Sequence, residues 1–124
     1  MPLCRKQELG KLGEDLVAGK LADSGWQILS RNFRGTGFEL DIVALKNGTL
    51  ICVEVKTRSF GSFREEEPDL ARIVPPRKIE FLKRGLDYFC GEKDLSPMGI
   101  RVDLAMIYHQ KGKAVGSSHY VDIG

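Results

Sequence analysis

The dipeptide Asn47-Gly48, set between two β-rich runs, constrains the fold of this chain more than any other feature of its sequence. Residues 38–45 precede it and residues 49–57 follow it, and both runs are rich in Val, Ile and Leu. Asn-Gly between two such runs is the strongest short-range signal for a two-residue hairpin turn. The sequence therefore predicts an antiparallel hairpin whose register is fixed outward from this turn.

The register of the hairpin determines which side chains meet. Counting outward from the turn places Asp41 opposite Glu54 and Glu39 opposite Lys56. The charged residues then converge at the end of one face that lies far from the turn. The other face is expected to be continuous core, made of six aliphatic residues: Leu40, Ile42, Ala44, Ile51, Val53 and Val55.

The opposed carboxylates of Asp41 and Glu54 need a cation between them, because like charges facing each other destabilise a sheet and burial adds a desolvation cost. Mg²⁺ (or Mn²⁺) suits two carboxylates, since Mg²⁺ keeps waters and substrate phosphate oxygens as its other ligands. Such a metal activates water and neutralises charge on a phosphate. Lys56 could orient that water or stabilise the transition state. The alternative is an ordinary exposed ion pair of Lys56 with Glu39 or Glu54, which is worth little.

The rest of the chain predicts an α/β protein with the order α-β-β-β-α-β. Its elements form one domain over residues 1–124, with a mixed central sheet flanked by helices. Residues 58–74 are expected to form an exposed loop that carries the acidic run Glu65 to Glu67. The predicted elements outside the hairpin are a helix over 7–23, a strand over 26–34, a helix from Pro75-Pro76, a strand over 100–108 and a short strand over 119–123.

Composition excludes several classes of protein. The formal charge is only +2, so nucleic-acid binding would have to come from local clusters of basic residues. Cys4, Cys52 and Cys90 are odd in number and widely spaced, which argues against a disulfide framework or a structural zinc site. No apolar run has the length of a membrane span. We therefore expect a cytoplasmic protein with no membrane partner.

Five segments spread along nearly the whole chain form a specific combination: "LGEDLVAGKLADSGWQILSRNFR" (12–34), "ELDIVA" (39–44), "ICVEVKTRSFG" (51–61), "PPRK" (75–78) and "RVDLAMI" (101–107). Together they resemble the YraN family (uncharacterised protein family 0102), which has an endonuclease-like fold of the PD-(D/E)xK superfamily. Within that superfamily the family is similar to archaeal Holliday-junction resolvases. The resemblance implies a restriction-endonuclease-like core.

The resemblance also implies roles for individual residues. Asp41 matches the aspartate of the second strand, and Glu54 with Lys56 matches the acid and the lysine of the third strand. Glu14 matches a helix glutamate that reaches towards the metal site, and in an endonuclease the Val55 carbonyl would be a further metal ligand. Other residues implied are Glu39, a characteristic acid of the family, and the candidate DNA-backbone contacts Arg34, Thr57, Arg58, Lys78 and Gln7.

Two functions follow from the resemblance. The first is a metal-dependent endonuclease, an endodeoxyribonuclease that hydrolyses phosphodiester bonds in DNA, with branched or junction DNA as the implied substrate and a homodimer as the implied assembly. The second is a catalytically inactive DNA-binding accessory protein that keeps the fold. His109 and His119 lack a partner at metal-ligand spacing and are interpreted as structural or exposed. Phe60 and Phe63 are candidates for stacking on DNA.

Overall fold

The computed structural model of the protein describes residues 5–60 and 69–124. Five strands and three helices form over these residues, in the order α-β-β-β-α-α-β-β. The elements are α1 (Arg5–Asp23), β1 (Gln27–Gly35), β2 (Phe38–Lys46), β3 (Thr49–Ser59), α2 (Leu70–Ile73), α3 (Pro76–Lys93), β4 (Gly99–Gln110) and β5 (Lys113–Tyr120).

The five strands form one mixed sheet in the order β1-β2-β3-β4-β5. Only β3 and β4 run parallel, whereas each of the other neighbouring pairs is antiparallel. A parallel pair needs a long crossover connection, and α3 supplies it here. The predicted α-β-β-β-α-β core with its mixed sheet is therefore confirmed, with α2 and a full fifth strand as additions.

The two long helices cover opposite faces of the sheet, so the core has two layers. Helix α3 packs on one face through Ile79, Leu82, Leu86 and Phe89. Helix α1 covers the other face through its buried residues Gly13, Val17 and Leu21. The sheet residues buried on the α1 face are Ile42, Ala44, Ile51, Val53, Ala105 and Ile107.

The hairpin has the predicted register from its turn to the pair Ile42–Val53, but the predicted pairs Asp41–Glu54 and Glu39–Lys56 are not part of the ladder. Asn47 and Gly48 both have positive φ, at 50° and 80°, as a type I′ turn requires. Leu40 was predicted to share a face of the sheet with Ile42, but it packs in the cluster on the α3 side, whereas Ile42 packs on the α1 side. The strict alternation of side chains therefore breaks at Asp41, between these two residues.

The last strand differs from its prediction. β5 spans Lys113–Tyr120 and pairs with β4, whereas the predicted strand over 119–123 shares only its first two residues with it. Most of β5 is exposed at the edge of the sheet, so its residues lack the apolar alternation that marks a strand. Its turn is formed by Lys111 and Gly112, both with positive φ.

The segment predicted as a loop over 58–74 is partly regular. β3 continues to Ser59, which pairs with His109 of β4, and α2 occupies Leu70–Ile73. The acidic run Glu65 to Glu67, with Phe63, lies outside the described residues, as does Cys4. Cys52 is buried and Cys90 partly buried, and both are free thiols. Within the described parts of the chain, no helix has both the length and the apolar character to cross a membrane.

Candidate active site

Asp41 lies where the β2–β3 ladder ends, and its side chain continues the contact between the two strands. The last backbone pair of the ladder is Ile42–Val53. One step beyond it, the Val55 N–H donates a hydrogen bond of 2.9 Å to Asp41 Oδ2. This bond fixes one oxygen of the carboxylate against β3 and positions Asp41 beside Glu54.

Glu54 is a buried acid with an unsatisfied oxygen. The residue is 6% exposed, and its Oε2 has no hydrogen-bond partner among the described residues. Burial raises the pKa of Glu54 most and the neighbouring Asp41 raises it further, to about 8, although Lys56 and Lys78 act in the opposite direction. Lys78 Nζ lies 4.0 Å from Oε2, which is an ion-pair distance but not a hydrogen bond.

Glu14 reaches the same carboxylates from α1. One turn of this helix approaches β3 closely at Gly13, where a Cβ atom would lie 2.5 Å from Thr57 Oγ1. The Oε1 atom of Glu14 is buried without a hydrogen-bond partner in the described structure. Burial and then Asp41 raise the pKa of Glu14, whereas Arg31 and a hydrogen bond with Asn32 lower it.

The four residues predicted to carry the chemistry, Glu14, Asp41, Glu54 and Lys56, line one open cleft of about 630 Å³. The structure therefore brings together side chains from α1, β2 and β3. Of the other predicted site residues, three line the same cleft: Val55, Thr57 and Arg58.

The remaining predicted residues lie around this cleft. Arg34 and Glu39 line a second groove of about 650 Å³ that also contains Glu14, and they pair with each other at 3.4 Å. Lys78 approaches Glu54 from α3. Arg58 NH1 donates to the Thr57 carbonyl at 3.0 Å. Gln7 lies in the second groove.

Three basic residues beside Glu14, namely Arg5, Lys6 and Lys11, were not singled out by the sequence. Arg5 and Lys6 line the main cleft, and Lys11 and Arg31 line the second groove. Arg31 is partly neutralised by Asp15, whose Oδ1 lies 2.7 Å from Arg31 NH2. These cations are distributed along α1 and β1, so no local run of the sequence marks them as one surface.

His109 is a further cleft residue that the sequence interpretation assigned to a structural or exposed role. It lines the cleft, and its Nδ1 is buried without a hydrogen-bond partner among the described residues. Its position follows from the parallel pairing of β4 with β3, in which His109 faces Ser59. No spacing in the sequence signals this placement, because it depends on a pairing across the α3 crossover.

The number of side chains in the cleft that could coordinate a metal ion limits which metal it could hold. Within residues 5–60 and 69–124, no group of three or more His, Cys, Asp or Glu side chains that could hold a metal ion is formed. A site here must therefore rest on fewer carboxylates, as is usual for Mg²⁺, which keeps several waters. One buried oxygen of Glu14 and one of Glu54, which have no hydrogen-bond partner among the described residues, fit that chemistry, because a cation or its bound water would satisfy them.

The fold and this cleft define an α/β protein with a carboxylate-lined cleft at the end of its central hairpin. A family model described as Uncharacterised protein family UPF0102 matches residues 13–107. The chain belongs to this family, which confirms the resemblance in its sequence.

Individual relatives agree with this assignment. The chain is 36% identical over 123 residues to a UPF0102 protein of Flavobacterium johnsoniae, covering 97% of this chain and 96% of the relative. It is 37% identical over 113 residues to UPF0102 protein Franean1_1156 of a Parafrankia species, covering 91% and 92%. Among solved structures, it is similar to a FdxN element excision controlling factor protein from Anabaena variabilis, with 16% identity and a TM-score of 0.39. That alignment covers 86% of this chain and 98% of the other.

Proposed function

We propose that this protein is a metal-dependent endonuclease that hydrolyses phosphodiester bonds in DNA. The observation that carries the proposal is that Glu14, Asp41 and Glu54 line one cleft beside Lys56, with one buried oxygen of Glu14 and one of Glu54 lacking a hydrogen-bond partner among the described residues. Buried carboxylates in contact destabilise a fold unless a cation compensates them. A cleft that retains these destabilising carboxylates beside a lysine is suited to binding a cation and a phosphate group together.

Asp41 and Glu54, with the Val55 carbonyl, would hold Mg²⁺ or Mn²⁺. When bound, the metal supplies an activated water and neutralises charge that develops on the phosphate. The hydrogen bond from the Val55 N–H leaves the second oxygen of Asp41 available for such binding. Glu14 is placed to accept a hydrogen bond from water in the cleft through its free Oε1.

Lys56 and the basic rim would bind the substrate. Lys56 lies next to the carboxylates, and its ammonium group can stabilise negative charge on the phosphorus centre. Arg5, Lys6 and Arg58 line the same cleft and can contact the neighbouring phosphates. Branched DNA as the substrate, and a homodimer that presents two such clefts to it, rest on the resemblance to junction resolvases.

The alternative function is that of a catalytically inactive DNA-binding accessory protein. The basic residues along the cleft and the second groove would be sufficient for this role. A binder would have no use for Glu54 buried beside Asp41, because burying this carboxyl group costs stability and its ionised form would repel phosphate. The carboxylates therefore favour the nuclease.

Cleavage assays distinguish the two functions. Wild type, Glu54→Gln, Lys56→Ala and the exposed control Glu80→Gln are incubated with labelled single-stranded, duplex, flapped and four-way-junction DNA, in Mg²⁺, Mn²⁺ or EDTA. We expect metal-dependent cutting by wild type and Glu80→Gln, and a loss of about 100-fold or more in Glu54→Gln. If the wild type binds junctions tightly but cuts none of the substrates in either metal, the accessory role replaces the nuclease.

A further inference from the structure

A second cavity, of about 340 Å³, lies between the last turns of α1 and strands β4 and β5. It shares no lining residue with the carboxylate cleft or with the second groove. Its volume is within the range of about 300–1,000 Å³ that is typical of small-molecule sites. The segment "RVDLAMI", which the proposed nuclease does not use, contributes Arg101, Asp103, Ala105 and Ile107 to it.

A charged network built around Asp103 forms one wall of this cavity. Asp103 is fully buried, and it accepts hydrogen bonds from Arg101 Nε at 2.9 Å and from Arg101 NH2 at 3.0 Å. The Asp122 N–H donates to it at 3.0 Å, and His119 Nε2 lies 2.8 Å away. Burial by itself would raise the pKa of Asp103, but these hydrogen bonds outweigh it and lower the pKa to about 2.

The network holds Arg101 rigidly while leaving part of its guanidinium available. The group also lies 5.4 Å from the ring centroid of Trp26, so its plane is supported by both a carboxylate and an aromatic ring. Arginine has five N–H donors, and Asp103 takes two of them. A guanidinium fixed in this way is preorganised to bind an anion with little loss of conformational entropy.

The charge of the lining favours an anionic ligand. Asp103 is the one acid among the lining residues, and Arg101 already balances it, while Asp122, which is not a lining residue, also interacts electrostatically with Arg101. Lys20 adds a further positive charge at the rim, where it hydrogen-bonds Ser117 across the opening. The remaining wall is apolar and consists of Val17, Leu21, Trp26, Ala105, Ile107 and Val121.

We propose that this cavity binds a small organic anion, in which one carboxylate or phosphate group meets Arg101 and Lys20 and an aromatic or aliphatic body lies against Leu21 and Ile107. The pairing of a fixed cation with an apolar wall matches the usual design of small-molecule sites, in which a few polar groups orient an apolar ligand. The cavity is separate from the cleft of the proposed nuclease, so an experiment can disprove either proposal without affecting the other.

The fluorescence of Trp26 reports on this cavity alone, because it is the only tryptophan in the chain. The probes are phenylacetate, phenyl phosphate and the uncharged phenylacetamide, each titrated into the wild-type protein. We expect a saturable change with at least one of the two anions and about tenfold weaker binding of the amide. If phenylacetate binds and phenyl phosphate does not, the cavity is a carboxylate site. If phenyl phosphate binds and phenylacetate does not, it is a phosphate site.

Charge variants test the polar contact. Lys20→Glu changes an exposed rim residue and is expected to weaken anion binding about tenfold, whereas Lys111→Glu makes the same charge change at the β4–β5 turn and leaves binding unchanged. Arg101→Lys keeps the positive charge but loses the planar arrangement of guanidinium N–H donors, and we expect it to weaken anion binding as well. The proposal is overturned if neither anion gives saturation below about 10 mM, if the amide binds equally well, or if Lys20→Glu behaves like Lys111→Glu.

Discussion

Gly13 and Thr57 are in such close contact that a Cβ atom on Gly13 would lie 2.5 Å from Thr57 Oγ1. The side chains of Val55 and Ile107 lie 3.5 Å from the same position, so the space around it is filled. This contact holds α1 against β3 one residue before Glu14. The position of the helix carboxylate in the cleft therefore depends on the absence of a side chain at Gly13.

Gly13→Ala is expected to destabilise the protein by about 1–3 kcal/mol, because overpacking costs more than the improved helix propensity returns. Gly10→Ala is the matched control on the same helix, since nothing lies within 4 Å of its Cβ position. It should be neutral or more stable by up to about 1 kcal/mol. Urea unfolding measures both changes.

Removing the opposing group should rescue the first variant. Thr57→Ala deletes the Oγ1 atom that the new methyl group would meet, so we expect Gly13→Ala with Thr57→Ala to be more stable than the sum of the single changes. Additive effects of the two substitutions would show that Thr57 does not limit the approach of α1.

Glu54 makes the stability of the protein depend on pH. Its pKa is raised from 4.5 to about 8, first by burial and then by Asp41, so the folded state holds the proton more tightly than the unfolded chain does. The free energy of unfolding therefore falls as pH rises from 4.5 towards 8. Glu54→Gln stays neutral and should exceed wild type by on the order of 1–3 kcal/mol near pH 8, with a smaller difference near pH 5.

Denaturant unfolding at a series of pH values measures this difference. The control is Glu80→Gln, which removes an exposed carboxylate on α3. Its free energy of unfolding should change with pH as that of the wild type does. If the free energy of unfolding of the wild type and of Glu54→Gln changed with pH in parallel, the pKa of Glu54 would be the same in the folded and unfolded states. Burial beside Asp41 would then not disfavour its ionised form.

Divalent metal should counteract the repulsion between Asp41 and Glu54. A ligand at about 100 times its Kd that binds only the folded state stabilises it by about 2.7 kcal/mol. We therefore expect Mg²⁺ or Mn²⁺ to raise the Tm of the wild type near pH 8, and Asp41→Asn to abolish the increase. Differential scanning calorimetry with and without metal measures this effect without reference to cleavage.

The control for the metal experiment is Asp87→Asn, an exposed acid on α3. It should retain the full increase in Tm. An equal increase in Asp41→Asn and Asp87→Asn would place metal binding outside the cleft.

The salt dependence of DNA binding should identify the basic residues that contact phosphate. Each lost contact reduces the slope of log K against log salt by about 0.9 on duplex DNA. We expect Arg5→Ala with Arg58→Ala, both in the cleft, to reduce the slope by about two. Fluorescence anisotropy with labelled duplex DNA at several salt concentrations measures it.

Lys113→Ala, at an exposed position on the edge strand β5, is the control for this measurement and should leave the slope unchanged. An unchanged slope in the double variant as well would remove the cleft from the DNA interface.

The hairpin was predictable because its signals are local. Asn47 and Gly48 adopt the positive φ values of a type I′ turn, and the register follows from the turn as far as Ile42 and Val53. Leu40 was misplaced because strict alternation was assumed through Asp41, where the strand departs from it. β5 was placed too late because an exposed edge strand buries too little for its sequence to show a period of two.

By itself, the sequence determined the order of the α-β-β-β-α-β core, the turn that sets the hairpin register and the carboxylates that lie at its end, because turn chemistry and side-chain alternation act over a few residues. Only the tertiary structure decided which distant groups join them. The close approach at Gly13 positions Glu14, whose role the family resemblance had implied, and the parallel pairing of β4 with β3 brings in His109. These placements depend on packing between elements that are far apart in the chain, and no local pattern of residues encodes that packing.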